Sequence, residues 1–212
     1  MIKKNQYPGL FIALEGLDGS GSSSQAELLT NSLKANGHKV FLTKEPTNNI
    51  IGGLIRGQLT DVWKSGMECL QLLFAADRYH HLEREIIPAL KDNRIVISDR
   101  YFFSTIAFGA IELDRNWLIS LNEKIIYPDI TILIRVSPEE CLTRIEENRF
   151  RFELFEERKK LKKVWLNYLW LQKKFPNVYL IDGERDKEKI AADILKIYQK
   201  LILSKKNKKV LA

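Results

Sequence analysis

Apolar residues along this chain follow two rhythms. Short unbroken runs, Leu10–Glu15 (LFIALE), Val40–Thr43 (VFLT), Ile95–Ser98 (IVIS), Ile130–Val136 (ITILIRV) and Val178–Ile181 (VYLI), alternate with longer stretches where apolar positions recur every three or four residues. The runs predict five strands, the better ones apolar at successive positions, as strands covered on both faces are. The periodic stretches predict helices over about 22–36, 66–91, 102–109, 114–123, 137–146, 153–174 and 186–203. Strand and helix in alternation mean βαβ units, hence an α/β fold with a mostly parallel five-stranded sheet flanked by helices. Ligands of such sheets bind beyond the carboxyl ends of the strands, so the loops that follow the strands are where chemistry is expected.

Composition narrows the class. The 212 residues suit one domain, expected over 1–204 and followed by a solvated basic tail over 205–212 containing Lys205, Lys206, Lys208 and Lys209. With 45% hydrophobic and 29% charged residues, the chain is neither disordered nor fibrous. Thirty-four Lys and Arg against 27 Asp and Glu give a charge of +7, which suits an anionic ligand, small phosphates or nucleic acid alike. Cys69 and Cys141 lie far apart without metal-ligand spacing, which argues against a disulfide framework and a zinc site and for a reducing, cytoplasmic setting. No apolar run approaches the roughly 18 residues of a membrane helix, and the opening residues lack a secretion signal, so no membrane partner is expected.

The segment Glu15-Gly16-Leu17-Asp18-Gly19-Ser20-Gly21-Ser22-Ser23-Ser24-Gln25 follows the first predicted strand and opens a helix. Glycines let the backbone curl so that its N–H groups point inward, and the helix N-terminus adds partial positive charge, which is what a phosphate-binding loop requires. The pattern GxxxxGK[ST] is met at Gly16, Gly21 and Ser23, but Ser22 stands where lysine is required. In a working loop the amides of residues 19–24 cradle phosphates and the Ser23 hydroxyl goes to Mg²⁺. The plain alternative is a Gly/Ser-rich turn capping a helix. Loss of the lysine removes a cation from the place where charge moves in phosphoryl transfer, so another group must supply it or catalysis is weak.

Three more segments complete the pattern: Thr43-Lys44-Glu45-Pro46, Leu72–Arg78 (LLFAADR) and Asp99–Gly109 (DRYFFSTIAFG). Together with EGLDGSG they resemble thymidylate kinase, the dTMP kinase branch of the P-loop nucleoside monophosphate kinases, in order and at matching spacing over residues 9 to 200. The resemblance implies a five-stranded parallel sheet, a short lid over about 146–153, a homodimer, and transfer of the γ-phosphate of MgATP to dTMP. It implies that Phe74 stacks on the thymine and Arg78 bonds a base carbonyl, although alone Phe74 reads as core. It places Arg100 on the acceptor phosphate, Asp99 on Mg²⁺ through water, and Ser104 and Phe108 against the base and the sugar 2′ edge. Asp18 matches the residue that accepts from the sugar 3′-hydroxyl, and Lys44 and Pro46 belong to the acceptor loop, with lysine where the family has arginine. Arg144 matches the side chain that packs on adenine, bordered by Asp182–Arg185. Some members of the family carry the catalytic arginine in the phosphate loop and others in the lid; with Ser20 at the loop position the resemblance implies the lid type, with Arg149 and Arg151 as candidates to screen the migrating phosphoryl group.

Other readings stay open. His80 and His81 point about 100° apart on one helix, which suits structural roles rather than a metal pair. Trp165, Tyr168 and Trp170 read as packing surface rather than a nucleic-acid stacking platform, and no nucleic-acid partner is expected. The rival to an active kinase is a catalytically impaired homologue that binds dTMP without turnover.

Overall fold

The computed structural model describes residues 3–146 and 154–210. Its strands are β1 (Lys3–Lys4), β2 (Leu10–Gly16), β3 (Val40–Lys44), β4 (Ile95–Asp99), β5 (Ile126–Tyr127), β6 (Ile130–Arg135) and β7 (Val178–Asp182). The helices are α1 (Ser22–Ala35), α2 (Ile50–Leu59), α3 (Met67–His81), α4 (Ile87–Lys91), α5 (Phe102–Gly109), α6 (Arg115–Ser120), α7 (Pro138–Glu146), α8 (Leu154–Lys174) and α9 (Lys187–Val210).

The five strands expected from apolar runs form one parallel sheet in the order β3-β4-β2-β6-β7. Position in the sheet explains their composition. Every residue of β2 is buried, as are Ile95–Ser98 of β4 and Ile130–Ile134 of β6, because helices cover both faces. The edge strands β3 and β7 keep only partial cover, and Leu42, Tyr179 and Leu180 remain exposed there. A separate two-residue pairing of β1 with β5 was not foreseen; runs that short carry no periodic signal.

The helix expected over 66–91 is present but not uniform. A π-helical turn, Leu82–Ile86, separates α3 from α4 immediately before Pro88, whose missing N–H interrupts the regular ladder. Helix α2 was not expected at all. Gly52 and Gly53 weaken its helical propensity, yet Asn49 caps it by accepting from the Gly52 N–H at 3.1 Å. Gly52 is needed because a Cβ there would run into the Thr47 carbonyl. The helix expected to end at 203 runs longer: α9 continues to Val210 through the basic residues, a stretch without Gly or Pro.

Two chain ends of the sheet define the site. At the carboxyl end of β2 the chain enters α1, and at the carboxyl end of β4 it turns sharply at Arg100, whose φ is 68°. Its N–H donates to the Leu14 carbonyl at 2.8 Å, so the turn after β4 is tied to β2 beside it. The cleft opens beyond the carboxyl ends of β2, β3 and β4.

Candidate active site

The loop between β2 and α1 is shaped by its glycines. Gly19 and Gly21 adopt φ of 80° and 86°, and a Cβ on Gly19 would come within 2.6 Å of the Cys141 carbonyl of α7. A Cβ on Gly16 would strike the Ser20 side chain, so the loop closes tightly over itself. Ser20 is buried, and its N–H donates to the Leu17 carbonyl at 3.1 Å. With Gly21 as its cap, α1 begins on three serines. Ser24 is exposed, while the Ser22 and Ser23 hydroxyls both donate to the Asp99 carboxylate, at 2.9 and 2.5 Å. The position where lysine is usual thus holds a buried hydroxyl turned toward the end of β4.

Beside the loop lies a cavity of about 410 Å³. Asp18, Lys44, Pro46, Phe74, Arg78, Asp99, Arg100, Ser104 and Phe108 all line it, so residues drawn from four separate parts of the sequence converge there. Phe74 and Phe108 are half-buried, leaving ring surface open to the space.

At one end, Arg78 is fully buried. Its Nε donates to Glu45 Oε2 at 2.9 Å, Nη1 to Asn122 Oδ1 at 2.6 Å and Nη2 to Thr105 Oγ1 at 2.7 Å, with Nη2 also 2.7 Å from Glu45. Of the five N–H groups of a guanidinium, one on Nη1 is left over. Glu45 in turn meets His81 Nδ1 at 3.1 Å, and His81 Nε2 lies 2.7 Å from the Thr43 hydroxyl. The loop after β3 is further anchored by Asp77, which accepts from the Thr47 N–H and hydroxyl at 2.8 and 2.6 Å. His80 pairs with Asn49. Both histidines are thus held by neighbouring side chains, and among the described residues no group of three or more His, Cys, Asp or Glu is placed to hold a metal.

At the other end, Arg100 donates from Nη2 to Asp18 at 2.6 Å and from Nη1 to the Gly16 carbonyl and the Ser104 hydroxyl, both at 2.9 Å. Ser104 donates to Glu15 Oε2 at 2.5 Å and lies 2.8 Å from the Tyr168 hydroxyl, which itself donates to the Gly16 carbonyl. Ser104 does line the cavity, but its hydroxyl serves the Arg100 network; the adjacent Thr105 is the hydroxyl that meets Arg78. Burial pushes the Glu15 carboxyl up to about 7, against the opposing pull of Ser104, Arg100, Arg78 and the Tyr101 N–H.

On the far side of the phosphate loop, Arg144 of α7 donates to Glu140 at 2.9 Å and to the Gly183 carbonyl at 3.1 Å. It therefore borders the Asp182–Arg185 loop. Arg149 and Arg151 lie outside the described residues.

Several lining residues escaped sequence reading: Glu45, Arg56, Gln71, Thr105 and Lys160 on the cavity, and Glu15 and Tyr168 beneath it. Tyr168 packs in the core as expected and, beyond that expectation, also delivers its hydroxyl to the site. Helical spacing on α5 marks a face containing 101, 104, 105 and 108 but does not choose between Ser104 and Thr105. Nothing local marks Tyr168, which is 152 residues from its partner Gly16.

Known proteins resemble this chain over most of its length. The family model for thymidylate kinase matches residues 14–194. A probable thymidylate kinase of Thermococcus onnurineus is 39% identical over 205 residues, which cover 92% of this chain and 100% of that one. One from Thermococcus gammatolerans is 38% identical over 205 residues, covering 92% and 99%. A thymidylate kinase of Ruegeria pomeroyi is 36% identical over 200 residues, covering 89% and 94%. Because the match runs from the strand before the phosphate loop into the last helix and takes in every element that lines the cavity, the chain belongs to the thymidylate kinase family.

Proposed function

We propose that this protein transfers the terminal phosphoryl group of MgATP to dTMP, giving dTDP and ADP. The observation that carries the reading is one cavity that joins the phosphate loop, Asp99 and Arg100 at one end to Phe74 and Arg78 at the other. A nucleoside monophosphate laid along it puts its base on Phe74 and its phosphate at Arg100. Its phosphate oxygen is already nucleophilic, so the site needs no protein base; alignment and charge screening do the work. Arg100 is held for this task by Asp18, Ser104 and the Gly16 carbonyl, and Phe108 crowds the sugar.

Ser23 and Asp99 would hold Mg²⁺, Asp99 through water. Their oxygens are the hard donors this ion takes, and so small a protein set suits an ion that keeps waters and binds mainly through substrate phosphates. When bound, the ion neutralises charge on the transferring phosphates. The loop amides of residues 19–24 receive the donor phosphates, and Arg144 with Asp182–Arg185 receives the adenine. Arg149 and Arg151 supply the cation that Ser22 does not; Lys44 and Lys160, both exposed on the cavity rim, add to the positive field.

The protein acts as a homodimer, supported by Ile50 and Leu54 of α2 and Leu72 of α3, apolar side chains left exposed on two helices packed together. Light scattering on the purified chain tests this. A cytoplasmic setting accords with Cys69 and Cys141 being unpaired. No described helix is long and apolar enough to cross a membrane.

The experiment that tests the function is an ADP-release assay with MgATP and a panel of monophosphates. dTMP should be the best acceptor, dUMP weaker, and AMP, CMP and GMP poor. A better rate with CMP or AMP overturns the acceptor assignment. The second reading, a dTMP binder without turnover, rests on Ser22 alone and is selected if dTMP binds and no ADP forms.

A further inference from the structure

Among the described residues, four buried side-chain polar atoms have no hydrogen-bond partner: Ser20 Oγ, Gln25 Oε1, Gln71 Oε1 and Thr131 Oγ1. Of these residues only Gln71 lines the cavity. Its exposure is 2%, and its Nε2 meets only the Met67 thioether at 3.6 Å, a weak acceptor. The whole carboxamide is therefore underused in the free protein, and a buried acceptor without a donor is a standing cost that native structures rarely keep without a reason. Gln71, Phe74 and Arg78 follow one another on α3 at i, i+3 and i+7, so they share one face. Opposite, Gly109 of α5 leaves room for the amide, since a Cβ there would lie 3.0 Å from Gln71 Cδ.

The pattern of donors and acceptors on this wall selects a ligand edge. Arg78 offers a single leftover N–H and, as a guanidinium, never accepts. Gln71 offers one acceptor and one donor. A carboxamide alone can flip to suit either pyrimidine type, but the guanidinium on the same cavity wall cannot, so the group facing Arg78 must be a carbonyl. The complement is an N–H flanked by carbonyls, the imide edge of thymine or uracil. Cytosine puts an amino group and a bare nitrogen there instead, and leaves donors facing donors.

We propose that the Gln71 carboxamide reads the imide edge of the acceptor base, Oε1 accepting from the ring N–H, and is a determinant of thymine over cytosine. The inference rests on the dTMP kinase reading and adds to it a specificity residue supplied by α3.

The test compares wild type and Gln71→Leu with dTMP and dCMP, measuring kcat and KM, and records thermal melting with and without dTMP. Sites built to hydrogen-bond a substrate group discriminate by about 10⁴-fold or more, so Gln71→Leu should lower kcat/KM for dTMP by about 10²-fold or more, mainly through KM. The preference for dTMP over dCMP should narrow by at least about tenfold. The melting temperature of the free protein should hold or rise, because an orphaned acceptor has gone, while the dTMP-induced increase shrinks. A glutamine with a merely structural role would show the opposite, a lower melting temperature with an unchanged dTMP to dCMP ratio. Gln71→Met, closer in shape, gives the same readout if the leucine variant folds poorly. Failure is separable from that of the function itself: a wild type that phosphorylates no dTMP overturns the dTMP kinase reading, whereas an active wild type and a variant with unaltered kcat/KM and base preference overturn only the role of Gln71.

Discussion

At the base end of the cavity Arg78 is fully buried and committed to Glu45, Asn122 and Thr105, with His81 and Thr43 bracing Glu45 from behind. At the phosphate end the Asp18 side chain is 60% exposed, Ser22 and Ser23 share one carboxylate, and the cations Lys44 and Lys160 reach solvent. At one end the guanidinium is held by buried partners before any ligand arrives; the other is completed by the ligand's own charge. The difference follows from what each must recognise. A neutral base is read by fixed donors and acceptors in a dry wall, where an unpaired group is costly. Phosphates bring charges strong enough to order mobile cations around them, and they change shape as the phosphoryl group moves.

If this contrast is right, damage at the base end destabilises the protein and damage at the phosphate end slows it. Glu45→Ala should have the largest effect on stability. It leaves the buried Arg78 charge without its carboxylate and should cost about 3–5 kcal/mol, read from urea unfolding with and without dTMP. A loss under about 1 kcal/mol would show that the base end is not the preformed wall described here.

Replacing Arg149 and Arg151 together with alanine should lower kcat by about 10³-fold while dTMP affinity and melting temperature barely move. Unchanged turnover would return the screening charge to Lys44 or Lys160.

Glu15, beneath the junction of the two ends, sharpens the comparison through pH. An unfolded glutamate titrates near 4.5 and Glu15 near about 7. Between these values the folded state keeps a proton that the unfolded chain has released, so stability falls as pH rises through the interval, by up to about 3 kcal/mol for this group. Glu15→Gln has no such proton to lose. Its stability relative to wild type should therefore improve from pH 5 to pH 8, measured by urea unfolding at both; a difference that does not change with pH would sink the assignment.

Ser22→Lys carries the smallest expected change. The Ser22 hydroxyl is buried against Asp99, and the loop keeps the serines that suit a helix N-terminus, so an added lysine crowds a site already adapted. Turnover at saturating MgATP should stay level or fall. A gain of about 10²-fold or more would mean instead that the lysine was lost from an otherwise unaltered site.

Much of this was legible because it is local. Runs such as LFIALE and ITILIR announce strands buried on both faces, and they occupy the sheet centre. Gly19 and Gly21 announce a loop that curls, because the positive φ they adopt is open to few other residues. Helix α2 was illegible for the converse reason: its three glycines lower propensity, and what holds it is an Asn49 cap and the packing of Gly52 onto Thr47. Thr105 and Ser104 were indistinguishable because adjacent residues on a short helix both edge the same face.

The acceptor side chains were read from a resemblance to a family, whereas the sequence by itself determined the alternation of strand and helix and the phosphate loop with its missing lysine. These depend on periodicity and on backbone freedom, which neighbouring residues set. Tertiary structure decided the partners: Arg78 with Glu45, Asn122 and Thr105, Tyr168 with Gly16, Glu15 with Ser104, and the Gln71 Oε1 with none. Whether a polar group is satisfied, shifted in pKa or left waiting for a ligand is a property of the low-dielectric space around it, and that space is assembled from residues tens to more than a hundred positions apart.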